Sequence, residues 1–415
     1  MRFYFIVLIQ LILQPAFGQQ ARPAPNVSSF WNFVERATQD HPKLLAKDAV
    51  IRSESARAKD LGWLEDPSIE LIKTDRVSSG QSSTVDLVAL KQKLPFWSER
   101  SRQQEVQLAL VEAAKLSKQD TSRSIKAEII SLLYEYARAL QEQHHLKERR
   151  ERLRLIKTSL VRTKSSSPTQ QLERDLIESA ILLTEQQFDL IDSSAAELRK
   201  RLLNRGLPSN STVSVNWIDA NTFKDFQTSL NGVNLKPNLK TEIHRALVDA
   251  AEKNRLAMRP RPEFDLLLQS DQERGGAKER NVSLGLNIKI PINSLFGNKK
   301  DIGQSEVERS KSELHFQEQL SNLERDYLKE EIKLVEKSLS RFEISKISKI
   351  EKVVSKAEKD VRRGWISIAQ LLELERQMHS QIEATFDAQI KAVELINRSC
   401  EIFNCEARSF LGGQL

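Results

Sequence analysis

The sequence predicts a mostly α-helical protein with a small β part. One unit, a strand pair followed by a long helical hairpin, is written twice in tandem, and its strands belong to a small membrane β-barrel. Three observations carry this reading. Long charged stretches run without Gly or Pro; the stretch "NVSLGLNIKIPI" alternates strictly; and the breakers along the chain recur at one offset.

The 415 residues include only 13 Gly and 12 Pro, with 29% charged and 6% aromatic residues, a balance that suits long helices better than packed sheets. The mean hydropathy of −0.46 leaves no apolar window of about 18 residues beyond the N-terminus, so membrane contact has to come through strands rather than a helix. The opening "MRFYFIVLIQLILQPAFGQQ" has one basic residue, an apolar run from Phe3 to Leu13, and small residues Ala16 and Gly18 placed for cleavage before Gln19. It reads as a signal peptide over residues 1–18, followed by an exported mature chain. The residue directly after the cleavage position is Gln19 and not Cys, which removes N-terminal acylation as an anchor, and no stop-transfer segment points to the inner membrane.

The repeat is measured from the breakers. Pro42 to Pro67 and Pro237 to Pro262 both span 25 residues; Pro95 pairs with Pro291 and Pro168 with Gly364, each 196 apart. The first copy covers residues 19–224: a short helix, strands over 68–74 and 85–94 around "RVSSGQSS", and long helices over 98–164 and 168–204. The second covers 225–415: a helix over 237–259, strands over 263–271 and 282–292 around "QERGGAKER", and long helices over 299–363 and 366–403. The longest helices would reach roughly 100 Å. Ile125, Leu132, Ala139, Leu146, Leu153 and Leu160 recur every seven residues, the mark of a coiled-coil seam, so each helix buries one stripe and leaves much of its surface wet.

In the alternating strand, Val282, Leu284, Leu286, Ile288, Ile290 and Ile292 form one apolar face. Tilted near 45°, it would span about 25 Å of membrane. Val85–Leu94 is less regular, with four consecutive apolar residues and Lys91 and Lys93 on one face. Four strands cannot close a barrel, since about eight is the practical minimum, and open edges in lipid are costly. Three chains sharing twelve strands would close it, and their helices would continue as a water-filled periplasmic tunnel.

At this point the chain resembles the TolC-like outer membrane efflux proteins, in the branch paired with heavy-metal-type resistance-nodulation-division pumps. The resemblance rests on "HPKLLAKDAVIRSESARAKDLGWLEDPSIEL", the strand-ending "LPFWSER" and "IPINSLFGNKK", and "VRRGWISIAQLLELERQ", in that order and spacing. It implies a homotrimer in outer-membrane lipid with a twelve-stranded barrel and a helical tunnel, whose tip docks on a periplasmic adaptor joined to an inner-membrane pump. The docking tips it implies are Pro168, Leu172 and Leu176 in the first copy and Gly364, Trp365, Ile368 and Leu372 in the second. Gln370 and Glu373 fall where acidic residues narrow the tunnel entrance in the family, so one of the two is neutral here. The first tip, "KSSSPTQQLERD", also lacks the usual glycine.

No catalytic signature is present: no G-x-S-x-G, H-E-x-x-H, P-loop or Cys-x-x-Cys. No enzyme activity, cofactor or metal site is expected, and the adjacent His144 and His145 read as surface residues. The net charge of +7 and pI near 9.2 do not point to nucleic acid, because basic and acidic residues are interleaved along the helices of an exported chain. Cys400 and Cys405 can form a disulfide only if the helix ends or distorts near Asn404; on an unbroken helix they point apart. A non-pore periplasmic scaffold or adaptor is the competing reading, but adaptors usually carry one helical hairpin rather than two.

Overall fold

The computed structural model describes residues 30–61, 66–78, 81–94, 97–162, 167–232, 238–258, 263–274, 280–289, 299–411 and 413–414. The expected signal peptide, Trp63, Pro95, Pro237, Pro262 and Ile290–Ile292 lie outside the described residues. In chain order the elements are α1 (Phe30–Gln39), α2 (Pro42–Asp60), β1 (Ser68–Ser78), β2 (Gln81–Leu94), α3 (Trp97–Arg162) and α4 (Pro168–Asn204). A short β3 (Ser214–Val215) and α5 (Ala220–Gly232) lead to α6 (Leu239–Ala257), β4 (Glu263–Arg274) and β5 (Arg280–Lys289). Then come α7 (Lys299–Arg341), α8 (Ile347–Arg362), α9 (Ile368–Phe403) and β6 (Gly413–Gln414).

The 66 residues of α3 make a helix of about 100 Å. Its heptad residues Ile125, Leu132, Ala139, Leu146 and Leu153 are all buried, and Leu160 packs partly buried near the tip. Beyond this stripe α3 packs along α6, α4 and α2 and meets α9 and α1, so neighbouring helices cover more than one of its faces.

Two expectations need correction. Most of "RVSSGQSS" is strand rather than turn, because the ladder continues to Val77–Ser82 and Ser78–Gln81, where pairing satisfies the backbone whatever the side chains. The single helix expected over 299–363 is interrupted: α7 ends at Arg341, Glu343 is extended, and a 3₁₀ turn over Ile344–Lys346 leads into α8. No Gly or Pro marks the break. Phe342 packs on the central core while Ile344 and Ile347 join the tip core, so packing overrides local helix preference. The carbonyls released at Ser340 and Arg341 each accept from Lys346 Nζ at 3.2 Å.

The central core binds the two copies together. Phe30 and Phe33 of α1, Ile129–Tyr134 of α3, Phe223 and Phe226 of α5 and Ala392–Phe403 of α9 meet there. Buried Gln389 closes two 2.8 Å hydrogen bonds with the backbone of Ile218, donating to its carbonyl and accepting from its N–H. The end of the chain returns to this knot: β6 pairs with β3, and the Leu411 carbonyl accepts from Trp31 Nε1 at 3.1 Å. Asn404 takes a left-handed φ of 58°, which ends α9 and brings Cys400 and Cys405 within 4.4 Å (Cα–Cα) as a disulfide.

Candidate functional site

Two surfaces stand out: one face of the sheet, and the tips of the helical hairpins. The four strands form one antiparallel sheet in the order β1–β2–β4–β5, so each copy contributes one hairpin and β1 and β5 are the edges. The register aligns Ile69, Leu90, Leu268 and Leu284 in one row and Leu71, Val88, Ser270 and Val282 in the next. Leu266 stands opposite Leu286, and Phe264 opposite Ile288. These rows make a nearly continuous apolar face that this chain leaves uncovered, with Leu71 76% and Leu284 72% exposed.

The opposite face is more polar, although Ile72, Leu87, Ala89 and Leu267 also lie on it. It carries Lys91, Lys93, Gln269, Ser283 and Asn287 around Asp265, which is buried and lies 3.3 Å from Lys91 Nζ and 3.7 Å from Lys289 Nζ. Register also resolves the irregular strand β2: Val88 and Leu90 join the apolar face, whereas Leu87 and Ala89 lie with the lysines.

At the other end, the tips of both hairpins share a core of Leu153, Ile156, Ile177, Ile181, Val354, Leu371 and Met378. The second tip is a Schellman turn. Gly364 has φ 75°; its N–H donates to Val361 O and that of Trp365 to Asp360 O, both at 2.9 Å. A capping box follows: the Gln370 N–H donates to Ser367 Oγ at 3.3 Å, and the Ser367 N–H to Gln370 Oε1 at 2.9 Å. In the first tip, Pro168 opens α4 behind an N-cap Ser167, and Arg174 Nη2 donates to the Leu160 carbonyl at the end of α3.

This geometry sorts the sequence-derived tip residues. Trp365, Leu172 and Leu176 are exposed, the indole lying 4.9 Å from the Arg363 guanidinium carbon. Leu372 is half-buried. Ile368 is not available to a partner: the Ser367 cap sets the helix so that Ile368, Leu371, Glu375 and Met378 turn inward, leaving Ile368 2% exposed. Gln370 is engaged in the cap. Glu373 accepts two 2.8 Å hydrogen bonds from Arg376 and one of 2.9 Å from Gln377, holding its carboxyl down to about 2. Its charge is thus paired with a guanidinium three residues on.

A polar network that sequence reasoning missed lies behind the tip. Glu375 of α9 is fully buried, 3.3 Å from Arg149 Nε and 3.8 Å from Arg152 Nε, and Arg152 Nε is 2.9 Å from Glu358 of α8. Burial raises the carboxyl pKa of both Glu375 and Glu358 despite the arginines. One turn away, His145 Nδ1 lies 3.2 Å from Glu351 Oε1. His144 is exposed as expected; His145 is not, its side chain being only 17% exposed, because the heptad phase turns it toward α8.

The fold is thus a strand hairpin and a long helical hairpin, each present twice. No family model and no curated protein matches the sequence. Among solved structures, the open-state outer membrane channel MtrE of Neisseria gonorrhoeae superposes with a TM-score of 0.70 at 10% identity, covering 90% of this chain and 88% of that one. CusC, described for transmembrane channel formation, gives 0.67 at 12% identity over 90% and 91%. The CmeC outer membrane channel of Campylobacter jejuni gives 0.66 at 11% identity over 90% and 84%. The chain therefore has the fold of these channels along nearly its whole length.

Proposed function

We propose that the protein is an outer-membrane efflux duct of the TolC-like type, in the branch served by heavy-metal-type resistance-nodulation-division pumps. In this reading it is a homotrimer without catalysis of its own, passively conducting solutes delivered by an inner-membrane pump through a periplasmic adaptor. The observation that carries the reading is the sheet: one exposed apolar face, a more polar opposite face and two edge strands in a single chain. Lipid covers the apolar face, and edges β1 and β5 pair with neighbouring copies to close twelve strands around the polar side. The helices extend the pore into the periplasm. No described helix is long and apolar enough to cross a membrane.

The adaptor docks at the tips, on Trp365, Leu172 and Leu176 beside the Pro168 and Gly364 turns, with Leu372 at the rim. The buried Ile368 supports that surface from beneath. Two measurements test the proposal. Cell fractionation should find the chain in the outer membrane as a detergent-dependent trimer; a water-soluble periplasmic monomer would favour the scaffold reading instead. Trp365→Asp should abolish export while leaving the trimer level unchanged, and full export by this variant would remove the indole from the docking surface.

A further inference from the structure

We propose that His145, Glu148 and Glu351 form a binding site for a first-row divalent cation of the zinc type, joining the long helix of the first copy to the interrupted helix of the second. His145 and Glu148 are three residues apart on α3 and so project from one face, and Glu351 reaches them from α8. One donor atom from each of the three lies within 4.8 Å of the other two. Tetrahedral ligands held at about 2.1 Å stand about 3.4 Å apart, and the His145 Nδ1–Glu351 Oε1 distance is already 3.2 Å.

Glu148 must swing inward to complete the set, and its ties allow that. They run to the exposed His144, 3.1 Å from its Oε1, and at 3.7 Å to Arg152, which is closer to Glu358 at 2.9 Å. The His145 imidazole, held between α3 and α8 against the Glu351 carboxylate, supplies the nitrogen donor of the set. Two carboxylates neutralise the dication, and partly exposed Glu148 and Glu351 keep a path to solvent, with water as the fourth ligand. One imidazole with two carboxylates favours Zn²⁺, Co²⁺ or Ni²⁺ over Mg²⁺ and Ca²⁺.

The placement gives the ion a structural consequence. Glu351 lies in the second turn of α8, just past the 3₁₀ interruption, so a bound cation would pin that restart of the helix to α3.

Equilibrium dialysis of Zn²⁺ against untagged, chelator-stripped full-length protein in detergent tests the site. One Zn²⁺ per chain is expected, without displacement by excess Mg²⁺. Glu351→Gln and His145→Gln should each weaken binding by at least about tenfold while the helical circular dichroism stays unchanged. Zn²⁺ should raise the melting temperature of the parent but not of the variants. Absence of Zn²⁺ binding by the parent would overturn the proposal whether or not the variants fold, and so would equal affinity in parent and Glu351→Gln protein.

Discussion

A positive φ of 75° at Gly364 sets what the second tip tolerates. A Cβ there would meet nothing within 4 Å, so Gly364→Ala isolates the backbone cost of a left-handed residue, about 1–2 kcal/mol. Faster amide exchange at Gly364 and Trp365, with the central core unaffected, is the expected reading; unchanged exchange would mean that the turn is not held in this form. The glycine was readable as a turn because it interrupts an otherwise unbroken helical pattern. The roles of its neighbours were not assigned so well. Ser367 and Gln370 spell a capping box, a signal present in "SIAQ", and reading it would have fixed the phase of α9 and turned Ile368 inward. Glu373 was named without Arg376, three residues on, which matches its charge. His145 directly precedes the seam residue Leu146, so the heptad phase already placed it near the buried side; what the phase did not give was its partner, Glu351 of α8.

Among the elements, the seven-residue spacing on α3 was the most informative signal, since it separates buried from wet positions over much of a helix. Leu153 is fully buried in the tip core, whereas Leu155, two residues on, is 59% exposed. Leu153→Ala should cost about 3 kcal/mol in a denaturant midpoint measured on the detergent-solubilised protein, and Leu155→Ala under about 0.5 kcal/mol. Similar costs at both positions would place the seam wrongly. The α7–α8 interruption was unreadable for the opposite reason. "RFEISKIS" contains no breaker, and the bend exists because Phe342 and Ile344 belong to different cores. The central knot of α5, β3 and β6 was also missed: two-residue strands lack a detectable period, and their partner is the far end of the chain.

For the whole molecule, the tandem repeat explains why one chain presents two hairpins side by side and still leaves β1 and β5 as edges. The spacing of Pro and Gly made that duplication visible, and the alternation in Val282–Ile288 located the apolar face before any register was known. Closure is the claim on which the duct depends. Within one chain, β1 and β5 are separated by two strands, about 14 Å at ordinary strand spacing, beyond the reach of a disulfide. A cysteine pair, one in β1 and one in β5, can therefore join only different copies. Oxidising a set of such pairs in the native membrane, stepped along the register, should produce at least one ladder of dimers and trimers that stops at three. Monomer alone at every register, or a ladder continuing past three, would contradict the shared twelve-stranded barrel.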